Sequence, residues 1–249
     1  MDVYKCTLLS NDKITETSCD MRVLVPEMAD AKPGQFVHVK CEGFTLRRPI
    51  SICDVDGEVL RLVVDRRGKG TEWLTEQRVG ATLDILGPLG RGFDTSGRVL
   101  VVGGGIGCPP LLYAAKASDS ADAILGFRNS AAMMMLGDFR DACDTVQLAT
   151  DDGSAGFHGR VDELLRRRLS EEKYDRVLSC GPTPMLRACK RVCEELGVPL
   201  EVSLEERMGC GVGACLVCAV KLRGADGEYV GHVCKDGPVF KAEEVCFDD

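Results

Sequence analysis

The sequence predicts a multi-part fold, α/β plus all-β: an antiparallel β-barrel, then a parallel α/β unit, then a small cysteine-rich C-terminal subdomain. Three observations predict it. Up to about residue 97 the chain reads as short strand-like runs cut by Gly and Pro turns, the texture of a small closed sheet. From Arg98 an apolar run, residues 99–102, passes straight into a glycine cluster, and strand-like and helical segments alternate thereafter, which indicates a parallel sheet with covering helices. After Glu205 come four cysteines in the pattern C-x4-C-x2-C-x15-C. The implied parts are residues 1–97, 98–204 and 205–249.

In the first part, residues 21–25, 36–40 and 58–64 have β-branched or alternating character and read as strands. Pro33-Gly34, Glu42-Gly43, Asp56-Gly57 and Gly87-Pro88 read as turns between strands. One helix is expected, with Thr71 as its N-cap, Glu72 in the first turn and Gly80 just past its end. In the second part the strands are 99–102, 123–127, 145–149, 176–179 and 200–204, and the helices 108–116, 161–169 and 184–196. Pro109 and Pro110 fit a first helical turn, where a missing N–H matters least. Met133, Met134 and Met135 read as core filler.

Composition excludes several classes. The 249 residues carry a formal net charge of −8, which disfavours nucleic acid and anionic membranes as partners. The opening residues are charged at Asp2 and Lys5 and lack the apolar stretch of a secretory signal. The uncharged run 99–115 is broken by four glycines and two prolines and is too short to span a bilayer. A soluble, cytoplasmic protein is expected. Fourteen cysteines would suit a disulfide scaffold only in a small secreted chain. Cys189 and Cys193 share a helical face with Leu186, Val192 and Leu196, so they, and most cysteines outside the C-terminal motif, read as small buried hydrophobes.

Cys210, Cys215, Cys218 and Cys234 carry the strongest chemical signal. Their spacing matches the plant-type arrangement of thiolates around a 2Fe–2S cluster. Gly209, Gly211, Gly213 and the small Ala214 would let the backbone wrap closely and aim N–H groups at sulfur. Structural zinc is the competing reading, but it favours two C-x2-C pairs and only Cys215 and Cys218 form one. A Rieske centre needs two histidines; His232 is near, while His38 and His158 are far off in sequence. Because such a centre carries single electrons, redox chemistry is expected.

The turn at 103–107 could receive a pyrophosphate on a helix N-terminus. It departs from G-x-G-x-x-G, since Cys108 occupies the third glycine position and Phe127-Arg128-Asn129 stands where an acidic ribose ligand is usual. Alone it leaves open a tight turn with no ligand, and Arg128 leaves room for NADP as well as NAD. Cys180-Gly181-Pro182-Thr183-Pro184-Met185 is a second strand-to-helix turn, and both would face one crevice at the carboxyl ends of the strands. In Leu46-Arg47-Arg48-Pro49-Ile50-Ser51, arginine suits phosphate and serine suits a ring heteroatom; the alternative is an arginine paired with an aspartate on a strand. Lys69-Gly70-Thr71 opens the one helix of this part.

Taken in order, Arg48-Pro49-Ile50-Ser51, Gly68-Lys69-Gly70-Thr71, Gly87-Pro88-Leu89-Gly90, Gly103-Gly104-Gly105-Ile106-Gly107, Cys180 to Met185 and the four cysteines resemble the ferredoxin–NADP reductase-like superfamily. Within it, the chain is similar along essentially its whole length to electron-transfer subunits of NAD-dependent (type B) dihydroorotate dehydrogenases. Cys-Gly-Val-Gly-Ala-Cys-Leu-Val-Cys and Val-Cys-Lys-Asp-Gly-Pro-Val-Phe are the most distinctive segments. The resemblance implies FAD in the barrel, with Arg48 at the pyrophosphate, Ser51 near the flavin N5 edge, and Pro49 and Ile50 also among the cofactor-binding residues. Val63, Val64 and Asp65 would lie along the ring, and Lys69, Gly70 and Thr71 at phosphate. It implies NAD(H) docking on a Rossmann-like domain through Gly103, Gly104, Gly105, Gly107, Cys180, Gly181 and Pro182, and a 2Fe–2S cluster on the four cysteines. It further implies a flavin and iron–sulfur oxidoreductase whose FMN-containing dihydroorotate dehydrogenase catalytic subunit supplies the electrons, in a heterotetramer serving pyrimidine (UMP) biosynthesis. No acid or base for dihydroorotate is assigned to this chain. The small subunit of an NADH-dependent ferredoxin:NADP oxidoreductase or sulfide dehydrogenase shares the layout, and a zinc-stabilised, non-catalytic binding module is the reading from another class.

Overall fold

The computed structural model describes residues 2–247; Met1, Asp248 and Asp249, which belong to the first and last expected parts, lie outside the described residues. Six strands close an antiparallel barrel in the order β1-β2-β5-β4-β3-β6, from β1 (Asp2–Lys13), β2 (Ser18–Leu24), β3 (Phe36–Lys40), β4 (Arg48–Asp56), β5 (Val59–Asp65) and β6 (Thr82–Leu89). Alternate side chains such as Leu8, Met21, Val37, Val39, Leu62 and Ile85 fill its interior, as the two-residue period of strands requires.

β3 has its expected bounds, and β2 and β5 lie within a few residues of theirs. β1, β4 and β6 were not foreseen. β1 is mostly polar on its outer face, and a register shift between Leu8 and Ser10 breaks its alternation. β6 runs through Gly87-Pro88, which the sequence marked as a turn. The β3–β6 register shifts between Phe36 and His38, and this irregularity accommodates a proline that cannot donate to the ladder. The helix α1 (Lys69–Thr75) also corrects an expectation: its N-cap is Gly68, not Thr71. Thr71 sits one turn in, and its hydroxyl accepts the N–H groups of Arg67 and Gly68 at 2.9 and 3.2 Å. The helix stops at Glu76, short of Gly80.

The remaining elements are β7 (Arg98–Gly104), α2 (Cys108–Lys116), β8 (Ser120–Phe127), α3 (Leu136–Ala142), β9 (Thr145–Thr150), β10 (Phe157–His158), α4 (Val161–Glu171), β11 (Arg176–Cys180), α5 (Thr183–Leu196), β12 (Leu200–Ser203), β13 (Ala219–Gly224), β14 (Gly227–His232), α6 (Val233–Asp236) and β15 (Val239–Lys241). Seven of these strands build a sheet of order β10-β9-β8-β7-β11-β12-β15, parallel except for β15, and β13 and β14 pair as a separate antiparallel sheet. Leu111, Leu112 and Phe139 of α2 and α3 cover one face; Leu164, Leu165, Leu186 and Val192 of α4 and α5 cover the other. Cys189 and Cys193 are buried as expected, and Met134 is buried. No helix among the described residues is long and apolar enough to cross a membrane.

The barrel is locked to the sheet. Arg61 of β5 pairs with Asp20 at 2.7 Å and with Asp138 of α3 at 2.5 Å. Lys116 of α2 pairs with Asp54, and the Tyr113 hydroxyl donates to the Ala31 carbonyl at 2.6 Å. Inside the sheet, Asp122 accepts from Tyr174 at 2.6 Å, from Arg98 at 3.0 Å, from Arg168 at 3.1 Å and from Thr145. Burial alone would raise its carboxyl, but these donors outweigh it and hold the group down at about 2. A depressed carboxylate stabilises the fold above its unfolded value near 4 and loses that contribution as the pH falls through about 2. Asp122→Asn is therefore expected to cost about 3 kcal/mol at pH 7, because it leaves the largely buried Arg168 without a carboxylate, while Arg98 keeps Glu172. Urea unfolding should show this gap narrowing between pH 4 and pH 2.

Candidate cofactor and cluster site

The chain leaves β7 to build one side of the sheet and returns to β11 on the other, so the strand order reverses between these neighbours. Crevices form at such switch points. Gly103 and Cys180 are register partners across the seam. The turn at Gly105–Gly107 leads into α2, with Pro109 and Pro110 in its first turn, and it touches the Gly181-Pro182 turn directly. A Cβ at Gly107 would stand 2.4 Å from the Cys180 carbonyl oxygen, and one at Gly104 would stand 2.5 Å from Met185 Sδ. The sequence expectation that both turns face one crevice holds. A cleft of about 1020 Å³ opens above them, lined by Gly104, Gly105, Gly107, Gly181 and Pro182 on one side and by Thr17, Ser18 and Asp65 of the barrel on the other. Gly103 and Cys180 lie beneath this surface: Gly103 packs on Cys108, and burial pushes the Cys180 thiol up to about 12.

A second cavity, about 210 Å³, opens at the barrel mouth. Pro49, Ile50, Ser51, Val63, Asp65 and Thr71 line its barrel side, with Phe36 below. Ile106, Pro109 and Ser203 reach it from the sheet part, and Met208 and Pro238 from the tail. Val64 faces the other way, into the barrel core, because successive residues of β5 alternate; only its main chain can serve this site. Arg48 lies over the start of α1, where a Cβ on Gly70 would stand 2.1 Å from its Nε, and its guanidinium sits 5.3 Å from the Phe44 ring. The aspartate-paired arginine of this motif is instead Arg47, 2.6 Å from Asp84. Lys69 is exposed at the helix start. Asp65 accepts from Thr17 at 2.7 Å and Ser18 at 3.0 Å and pairs with Arg67 at 2.6 Å. Burial works against its charge, yet these partners hold its carboxyl below the usual range.

The cysteine loop borders this same cavity through Met208. Cys218 Sγ lies 3.2 Å from Cys234 Sγ. Cys210 and Cys215 form the other pair, with the Cys215 N–H donating to Cys210 Sγ at 3.4 Å and the Cys210 N–H to Cys215 Sγ at 3.3 Å. Val212 and Ala214 donate to Cys210 Sγ at 3.4 and 3.2 Å, and Gly213 to Cys234 Sγ at 3.1 Å. Partial burial would raise the Cys210 thiol, but these backbone donors and the Cys215 side chain outweigh it and bring it down to about 6. Thiolates are the form iron binds. Two thiol pairs fit a cluster of two irons, one pair for each. Among the described residues, no three His, Cys, Asp or Glu side chains converge as on a single ion.

Residues 205–246 match the iron–sulfur cluster binding domain of dihydroorotate dehydrogenase B. Over 259 aligned residues the chain is 41% identical to the dihydroorotate dehydrogenase B (NAD(+)) electron transfer subunit of Geobacillus thermodenitrificans, covering 97% of each. The chain belongs to the electron transfer subunits of dihydroorotate dehydrogenase B. The corresponding subunit of Caldanaerobacter subterraneus subsp. tengcongensis is 39% identical, with 98% of each chain covered. A solved structure of the NADH-dependent reduced ferredoxin-NADP oxidoreductase, a protein of flavin-based electron bifurcation, superposes with a TM-score of 0.87 at 33% identity, covering 97% of this chain and 90% of that one. A ferredoxin reductase of carbazole 1,9a-dioxygenase, 21% identical, shares the fold with a TM-score of 0.67 over 81% of this chain and 68% of that one.

Several residues of this subunit's site escaped sequence reasoning. Arg67 and Glu205 line both cavities, and Thr17 and Ser18 reach the large one. Each comes from a segment without a motif, and only the fold brings them together. Glu205 remains open to solvent at the crevice mouth but is crowded by protein atoms. That crowding raises its carboxyl above the usual range, with Arg67 opposing. His38 lies against the cysteine loop; burial first, then Arg47, drives its imidazole down to about 4, against the pull of the Cys210 backbone. The contact between the two turns gives a direct test. Gly107→Ala forces a methyl against a main-chain oxygen and is expected to cost about 1–3 kcal/mol, read as a lower thermal midpoint. Gly137→Ala in α3, with open space around it, is expected to be neutral or slightly stabilising.

Proposed function

We propose that this chain passes electrons from the FMN-containing catalytic subunit of a dihydroorotate dehydrogenase, through a 2Fe–2S cluster and FAD, to NAD+ in pyrimidine (UMP) biosynthesis. One observation carries the reading: the segment that bears Cys210, Cys215 and Cys218, with Cys234 of α6 beside Cys218, borders through Met208 the same cavity as Pro49, Ile50 and Ser51. Residues 1–97 would hold FAD, 98–204 NAD(H) and 205–249 the cluster, though β15 ties the last part into the sheet of the second.

Bound there, the cluster supplies one-electron exchange, and FAD supplies the conversion between single electrons and hydride. The chain's own residues bind and orient. Arg48 offers a guanidinium fork to a pyrophosphate, and Gly70 is bare because that guanidinium lies over it. Lys69 and Thr71 stand at the same helix start. Ser51 presents its hydroxyl, and Val63 its side chain, to the cavity at the barrel mouth. Ile106 and Pro109 wall that cavity and limit water. The turns at 104–107 and 181–182 offer main-chain N–H groups to a dinucleotide in the crevice. Cys210, Cys215, Cys218 and Cys234 ligate the cluster.

Cys215 is exposed, and beside it Leu216 and Val217 leave 59% and 57% of their surface open. An apolar face next to an exposed ligand suits a partner subunit that delivers electrons there. An αβ pair doubled into a heterotetramer, located in the cytoplasm where thiols stay reduced, completes the proposal; the cysteines of this chain are all free. Cys215→Ser tests the route in the purified complex. Cluster absorbance should disappear while FAD is retained, and dihydroorotate-dependent NAD+ reduction should be lost. Unchanged coupled turnover would refute the route. The partner that copurifies separates this reading from a ferredoxin:NADP oxidoreductase small subunit.

A further inference from the structure

His38 is a buried polar side chain that the electron route above leaves unused. It projects from the outer face of the barrel, beside Phe36 and opposite to Val37 and Val39, yet it is 0% exposed. Neither ring nitrogen meets a partner at full hydrogen-bond geometry. Buried imidazoles are normally partnered, so an orphan needs an explanation. The group that covers it is the cluster loop. A Cβ on Gly211 would stand 2.6 Å from His38 Nδ1 and 3.0 Å from Cε1, so the ring lies against the main chain of the residue after Cys210. Gly211 also has φ +76, a conformation that glycine adopts freely.

The ring and the main chain of His38 are each held. Phe36 meets it edge to face, with centroids 6.2 Å apart and planes at 88°, and packs in the same core as Cys218 and Cys234. On the strand side, Arg47 donates to the His38 carbonyl at 3.2 Å and is itself anchored by Asp84. The Nδ1 edge of the ring therefore faces the Cys210–Gly211 turn.

We propose that His38 is a positioning residue for the cluster: a ring N–H aimed at the main chain of Cys210 fixes the peptide from which the loop turns its N–H groups onto the Cys210 sulfur. Those groups belong to Val212, Ala214 and Cys215. Hydrogen bonds to ligating sulfur draw off negative charge and make a cluster easier to reduce. Loss of the imidazole donor loosens that turn and favours the oxidised cluster. The inference rests on the cluster reading above.

The test is an EPR-monitored redox titration of the anaerobically purified complex carrying His38→Leu, His38→Gln or Gly211→Ala. His38→Leu removes the donor, and Gly211→Ala pushes the loop off the ring from the other side. Each should shift the reduction equilibrium of the cluster about tenfold toward the oxidised form, about 59 mV for one electron, with flavin content unchanged. His38→Gln, which keeps an N–H, should retain most of the original potential. An unchanged potential in His38→Leu overturns the proposal, as does an equal shift in His38→Gln, which would reduce the histidine to packing. Should His38→Leu fail to assemble, Gly211→Ala decides between the same outcomes. A native complex without iron sinks the cluster reading itself, and this inference with it.

Discussion

The arrangement depends on a short main-chain rivet at residues 237–241. The Gly237 carbonyl accepts from the Arg91 N–H at 2.6 Å, just beyond β6, and the Pro238 carbonyl accepts from Leu204 at 2.9 Å, just beyond β12. β15 then pairs along β12. Barrel, sheet and cysteine tail thus share one set of backbone hydrogen bonds. Backbone bonds fix spacing better than side chains can, because they have no rotamers to sample. The tail cannot drift from the barrel mouth without breaking strand pairing, so the cavity at the mouth keeps walls from all three parts.

The rivet also explains the packing around Phe36. An aromatic residue on the outer face of a barrel strand would ordinarily meet water. Here it belongs to the same buried core as Leu89, Leu204, Cys218, Cys234 and Phe240. The same ring lines the cavity beside Ser51. One side chain therefore both lines the pocket assigned to flavin and belongs to the core that includes Cys218 and Cys234. Short separation through dense protein is what single-electron transfer requires, and a contiguous apolar core between the two sites provides it.

Much of this was legible in the sequence where one residue type has one use. The helix α2 kept its expected bounds because Pro109 and Pro110 can begin a helix but not continue one. The cysteine spacing identified the cluster segment because few other sites use it. Legibility failed where a residue's role depends on a distant partner. Thr71 resembles an N-cap, but Gly68 has the conformational freedom to take that position, and the threonine serves from within the helix. Gly87-Pro88 resembles a turn, but a register shift in the neighbouring strand admits it to β6. Arg47 and Arg48 are adjacent in sequence, yet one braces the barrel through Asp84 while the other lies over a helix start. Glu205 and Arg67 carry no local signal, since only the fold sets them on the boundary of two cavities.

The cysteines show why surroundings, and not residue type, assign the chemistry. Cys180 and Cys193 are sealed in apolar packing, and burial pushes both thiols up to about 12. They remain protonated at any physiological pH and behave as small hydrophobes. Cys210 is the opposite case: three backbone N–H groups converge on its sulfur and bring it down to about 6. A chain with fourteen thiols can therefore offer iron one prepared site. The converging donors arise from the loop's glycines, which permit the turns, and from its lack of regular structure, which leaves those N–H groups without helix or strand partners. A loop that looks unstructured by secondary-structure criteria is thus ordered by the sulfur it surrounds.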